Sequence, residues 1–161
     1  MNELANLAAD IVKLLQQHNK TLATAESCTG GMIGATITSV PGSSEVYGFG
    51  FITYANEAKE QLLGVKHETL AAYGAVSPET AKEMAAGARK VSGADIAVAV
   101  TGIAGPGGGT PEKPVGLVYV GVATENDTKT IKLNLGGDRD QVRLSTCLNA
   151  LDAVRRELII H

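Results

Sequence analysis

The chain predicts an α/β fold: one three-layer α/β/α domain with a mixed, mostly parallel sheet of about five strands. Three observations carry this. Six segments repeat apolar residues with the helical period, and five short apolar runs have the length and β-branched content of strands. Through the first half the two kinds alternate, which calls for parallel strands with helices on both faces. Near the end two strand-like runs are separated by the short polar Glu125-Asn126-Asp127, a hairpin that makes the sheet mixed.

Residues 3–18 read as a helix, with Leu4, Leu7, Ala8, Ile11, Leu14 and Leu15 on one face and Lys13, Gln16 and Gln17 on the other. Thr21–Ala25 reads as a strand, broken by Glu26-Ser27-Cys28-Thr29-Gly30-Gly31. Met32–Val40 resumes as a helix ended by Pro41-Gly42. Val46–Tyr54 mixes β-formers with glycine, the pattern of a strand with a bulge. Asn56 is placed to cap a helix running to Leu63, and Gly64 to end it. His67–Tyr73 is a short helix closed by Gly74. Ser77 caps, and Pro78 begins, a helix reaching about Val91. Asp95–Val100 is short, apolar and β-branched, hence a buried strand. After a glycine-rich loop, Val115–Thr124 and Lys129–Leu135 form the hairpin, and a helix runs from Asp138 to Ile160.

Composition limits what such a fold does. The 161 residues suffice for one domain, taken as 1–161, with a core that needs neither disulfide nor metal. The formal net charge is −3 and no Lys/Arg run exceeds two residues, which argues against nucleic acid or an anionic membrane as partner. The N-terminal segment is amphipathic and acidic early, unlike a signal peptide, and no apolar run approaches a membrane span. A soluble, cytoplasmic protein is expected. The two cysteines are too few for a disulfide scaffold or a cysteine-rich zinc site. Histidines 18, 67 and 161 show no metal-ligand spacing, so neither metal nor cofactor is expected.

In open α/β sheets ligands bind beyond the carboxyl ends of strands, where loops enter helices. Segments 26–31, 54–59 and 101–109 occupy that position, and polar residues and glycine concentrate there. The glycine loop carries neither a Walker sequence nor a dinucleotide fingerprint, which leaves a smaller phosphate or polar ligand. Ser27, between a strand and a Gly-Gly helix start, has the setting of a nucleophile with amides behind it. Taken alone, the setting suits a helix cap better, because serine is a leading cap residue. Cys28 is a rival nucleophile, without a histidine in the same loops. Lys59 could activate a serine if its pKa fell from about 10.4 toward neutrality; helix start and burial favour this and Glu57 opposes it, and taken alone the residue reads rather as a solvated surface lysine. Tyr54 could relay a proton.

Ala25-Glu26-Ser27-Cys28-Thr29-Gly30-Gly31, Tyr54-Ala55-Asn56-Glu57-Ala58-Lys59, Gly74-Ala75-Val76-Ser77, Thr101-Gly102-Ile103-Ala104-Gly105-Pro106, Lys113-Pro114-Val115-Gly116 and Gly137-Asp138-Arg139 together resemble the CinA C-terminal domain family. The resemblance covers about residues 5–158. It implies a nicotinamide mononucleotide deamidase, with the start of the chain favouring the free-standing form of the enzyme. It implies a site of Ser27, Lys59 and Tyr54, with Thr101 and Arg139 around the substrate. Thr29, Gly30, Gly102 and Gly105, in the same motifs, are the further substrate-binding candidates. A small-molecule mononucleotide substrate and a homo-oligomeric state are expected. A non-catalytic nucleotide-binding module of the same fold is the alternative.

Overall fold

A computed structural model describes residues 2–160. The chain forms α1 (Asn2–His18), β1 (Leu22–Glu26), α2 (Met32–Thr38), β2 (Tyr47–Ile52), α3 (Asn56–Leu63), α4 (His67–Tyr73), α5 (Pro78–Ser92), β3 (Ile96–Gly102), β4 (Leu117–Ala123), β5 (Thr128–Asn134) and α6 (Arg139–Ile160). The order of helices and strands is the expected one. The sheet has five strands in the order β2-β1-β3-β4-β5. β1 runs parallel to β2 and β3, while β4 and β5 are antiparallel additions.

The two faces of the sheet are packed differently, and the strand sequences say why. Side chains alternate across a strand. On β3, Ile96, Val98 and Val100 point into a large core with Ile11 and Leu15 of α1, Ile33 and Ile37 of α2, and Leu151 and Val154 of α6. Ala97 and Ala99 point the other way, with Ala23 and Ala25 of β1, against Met84, Ala85 and Ala88 of α5. Alanine there lets α5 lie close to the sheet. At Gly121 on β4 a Cβ would sit 2.5 Å from the Ala81 carbonyl, so only glycine fits under the helix. Each fully buried Ile or Leu of the larger core contributes roughly 1.5–3 kcal/mol relative to exposure.

Local differences from the sequence expectation have local causes. The second helix stops at Thr38, and a 3-10 turn over Ser43–Glu45 precedes β2. The bulge lies at Gly48: Leu22 pairs with Tyr47 and Ala23 with Phe49, which skips it. Asn56 is not a cap. Ala55, extended at φ −85°, holds the cap position without a side-chain bond, and Asn56 is the first helical residue. Ser77 caps α5 as expected, accepting from the Thr80 N–H.

Parallel register brings the carboxyl ends of β1, β2 and β3 to one edge, since Glu26 pairs with both Ile52 and Val100. The chain leaves β1 toward β2 on one side, and leaves β3 toward β4 on the other. The crevice between these departures is where the three candidate loops meet. Among the described residues, no helix is long and apolar enough to cross a membrane.

Candidate active site

Ser27 is the first residue past β1, and its N–H still donates to the Val100 carbonyl at 3.1 Å. The loop it begins is shaped by the preceding residue. The Glu26 carboxylate, 2% exposed, turns under the loop. Its Oε1 accepts from Thr29 Oγ1 at 2.5 Å, Gly31 N at 3.1 Å and Ile33 N at 3.0 Å, and its Oε2 accepts from Gly34 N at 3.0 Å. The amides at the start of α2 are thereby satisfied by Glu26. Ser27 therefore has no capping work: Gly31 holds the cap position of α2 and makes no side-chain bond. From α6, Arg143 donates through Nε to Cys28 O at 3.1 Å and through Nη2 to Thr29 O at 3.0 Å.

The Ser27 hydroxyl meets Lys59 instead. Lys59 is 1% exposed, and its Nζ lies 3.1 Å from Ser27 Oγ. Nζ also donates to Thr53 O at 2.9 Å and Tyr54 O at 3.2 Å. α3 aims the side chain, because its first backbone bond runs from Lys59 N to Ala55 O and helical side chains lean back toward the N-terminus. Burial pushes the Lys59 pKa below its ordinary 10.5. The opposing Glu57 expected from sequence is exposed to solvent and is not among the partners of Nζ.

Cys28 is a poor nucleophile here. It is buried, and burial pushes its thiol up to about 11, outweighing the nearby Arg143 and Lys59 charges. Thiolate, the reactive form, is thus disfavoured.

A cavity of about 190 Å³ opens beside the pair, lined by Ser27, Cys28, Tyr54, Lys59, Ala75, Val76, Thr101, Gly102, Ala104 and Arg139. Six of the nine residues singled out from sequence are in that wall. Thr101 Oγ1 donates to Ala75 O at 2.8 Å, tying the α4–α5 connection to β3. At Gly102 a Cβ would stand 2.5 Å from Val118 Cγ2, so strand packing alone demands glycine. Arg139, exposed at the start of α6, donates to Gly105 O at 2.7 Å and to the Tyr54 hydroxyl at 3.3 Å. The Tyr54 phenol is thus at the rim with Arg139; its backbone carbonyl, rather than its side chain, is what holds Lys59. Thr29, Gly30 and Gly105 stand behind the wall: Thr29 on Glu26, Gly30 with its N–H on Ser27 O at 3.2 Å, Gly105 through the carbonyl that anchors Arg139.

Glu26 and Arg143 are the site residues that sequence reasoning assigned no role. An acidic residue ending an apolar strand just before a glycine-rich helix start was a signal for the first. For the second the signal was helical spacing, because Arg143 falls one turn after Arg139 on the same face of α6. A second cavity, about 260 Å³, lies at the opposite end of the sheet among Lys20, Arg89, Asp95 and Glu125. None of the nine residues singled out from sequence lines it.

The family model described as the CinA C-terminal domain matches residues 4–158. A CinA-like protein of Kosmotoga olearia is 54% identical over 149 residues, which are 92% of this chain and 36% of that protein. The chain spans about a third of the length of the curated relatives it matches. Among solved structures, the competence/damage inducible protein CihA of Agrobacterium tumefaciens superposes with a TM-score of 0.94 at 45% identity, over 96% of this chain and 94% of that one. A CinA superfamily protein of Klebsiella pneumoniae gives 0.94 at 33% identity, over 98% and 99%. The chain belongs to the CinA C-terminal domain family.

Proposed function

We propose that this domain is a serine amidohydrolase that converts nicotinamide mononucleotide to nicotinate mononucleotide and ammonia. The observation that carries the chemistry is the buried Lys59 amine on the Ser27 hydroxyl. Its partners are one hydroxyl and two carbonyls, with no carboxylate among them. An ammonium would donate to all three. A neutral amine has two N–H groups, enough for the Thr53 and Tyr54 carbonyls, and its lone pair then accepts from Ser27 Oγ–H. Burial favours that second state.

Ser27 Oγ attacks the carboxamide carbon while its proton passes to Lys59. The negative charge that develops on the carbonyl oxygen needs donors. Gly30 N–H is engaged with Ser27 O, and the Gly31, Ile33 and Gly34 amides with Glu26. Thr29 is fully buried behind the wall, so the Cys28 amide, in the wall directly after the nucleophile, serves as the oxyanion donor. Lys59 returns the proton to the departing nitrogen, and ammonia leaves an acyl-enzyme. Water then attacks the ester with Lys59 as base, which frees the carboxylate and restores Ser27.

The choice of nicotinamide mononucleotide rests on the family resemblance, and the cavity supports it. Ala75, Val76 and Ala104 give an apolar wall for a flat ring beside the reactive pair. Because Glu26 fills the start of α2, a phosphate has no place there; Arg139 and the glycine loop at the rim are its natural partners. Ammonia release from nicotinamide, its riboside and its mononucleotide is the test. The mononucleotide is expected to have the highest kcat/KM by a wide margin. Equal values for all three would sink the phosphate argument, and no release from any would favour a non-catalytic module.

Tyr54→Phe discriminates between a proton carrier and a rim residue. It leaves the backbone carbonyl on Lys59 and removes only the Arg139 contact. A loss of about 10-fold or less is expected, mainly in KM. A collapse of kcat in the folded variant would make the phenol a proton carrier.

A further inference from the structure

Arg143 is partly buried behind the nucleophile loop and is not part of the cavity wall. It grips two successive backbone carbonyls, Cys28 O at 3.1 Å through Nε and Thr29 O at 3.0 Å through Nη2. We infer that Arg143 is a positioning residue for the nucleophile and its oxyanion donor. This rests on the reading of Ser27 as nucleophile.

The argument is one of peptide geometry. A peptide unit is planar, so fixing its carbonyl fixes its N–H on the opposite side. The donor to the developing oxyanion, Cys28 N–H, shares its peptide with Ser27 C=O, which is fixed by accepting from Gly30 N–H at 3.2 Å. That Gly30 N–H is aimed in turn by Thr29 C=O, which takes both Arg143 Nη2 and the Met32 N–H at 3.1 Å, while Arg143 Nε holds the Cys28 carbonyl beside it. The Thr29–Gly30 peptide is thus held at both ends, by Arg143 and Met32 N–H on its carbonyl and by the nucleophile's own carbonyl on its N–H. Beneath the loop Glu26 takes donors, and above it Arg143 takes acceptors. The charge also polarises the Thr29–Gly30 peptide and strengthens the Gly30 N–H that holds Ser27 O. A lysine cannot substitute, because a single ammonium does not present the planar fork that meets two carbonyls together.

A serine-directed fluorophosphonate tests this without any nucleotide. Ser27 Oγ forms a bond to phosphorus, fluoride leaves, the hydroxyl proton passes to Lys59, and the phosphoryl oxygen takes the place of the oxyanion. With wild-type protein, the label should fall on Ser27 and be absent from Ser27→Ala. Arg143→Ala and Arg143→Lys should label on the order of 10²-fold more slowly, the usual cost of a slightly misplaced reacting group. Their melting should stay cooperative and the midpoint of the pH–rate curve unchanged. Guanidinium ion should restore part of the rate to Arg143→Ala, while sodium chloride at equal ionic strength should not. A folded Arg143→Ala that labels at the wild-type rate would overturn the inference. So would full activity in Arg143→Lys, since charge alone would then suffice. Wild-type protein that never labels would instead remove the serine reading itself, and this inference with it.

Discussion

Ser27→Ala is expected to lose turnover by about 10³-fold or more and to keep its fold. The size follows from what the hydroxyl does in the proposed reaction: without Oγ no acyl-enzyme forms, and only binding and the oxyanion amide remain to assist water. The fold survives because the hydroxyl carries little structure. Its one side-chain partner is Lys59, whose Nζ keeps the Thr53 and Tyr54 carbonyls. Losing such a bond costs roughly 1 kcal/mol. The loop itself is held by Glu26 and Arg143, which the substitution leaves alone. Cys28→Ala is the matched control. Its thiol is buried and pushed up to about 11, so removing it should leave most of the activity. Melting curves and ammonia release on both variants decide the matter. Near-normal turnover by Ser27→Ala would end the serine mechanism, and loss of turnover by a folded Cys28→Ala would transfer the role to the thiol.

The sequence carried the architecture because its elements are locally consistent. The 3.6-residue period of α1, the β-branched run of β3 and the Ser77-Pro78 start of α5 each specify one local structure. Parallel strands then place three loops at one edge without further information. Element ends were less legible. Asn56 has the chemistry of a cap, yet Ala55 takes the position, and the helix packs where Lys59 must be buried. That choice is made by tertiary contacts, which no local pattern encodes. The same holds for Ser27, whose sequence setting taken alone suits a cap better than a nucleophile. The deciding residue was Glu26, whose carboxylate satisfies the α2 amides and releases the hydroxyl for Lys59. A buried carboxylate facing backward under its own strand end is a three-dimensional fact. Arg143 escaped for a related reason: its partners are backbone carbonyls, which have no signature in sequence.

Lys59 should show itself twice, in the rate and in stability. The rate is expected to rise with pH as the amine loses its proton, in a window displaced below the ordinary 10.5 by burial. Lys59→Ala should be inactive to within about the same 10³-fold. Lys59→Arg should be nearly as inactive, because a guanidinium keeps its proton throughout the working range; an active arginine variant would mean that the position supplies charge and not proton abstraction. Stability gives an independent reading that needs no substrate. Between the lowered folded-state pKa and 10.5, the unfolded chain binds a proton at this lysine that the folded chain does not. Stability therefore rises with pH across that window, and the cost of burying the amine is greatest below it. Lys59→Met fills the same space and never titrates. It leaves the Ser27 hydroxyl and the two carbonyls without their partner, a constant loss that pH does not change. The difference in unfolding free energy between Lys59→Met and wild type should accordingly favour methionine most near neutral pH and shrink steadily as pH approaches 10.5. Denaturant melts of the two proteins at several pH values measure it directly. A difference that stayed flat would mean that Lys59 titrates alike in the folded and unfolded states, and an amine of that kind could not accept the Ser27 proton at neutral pH.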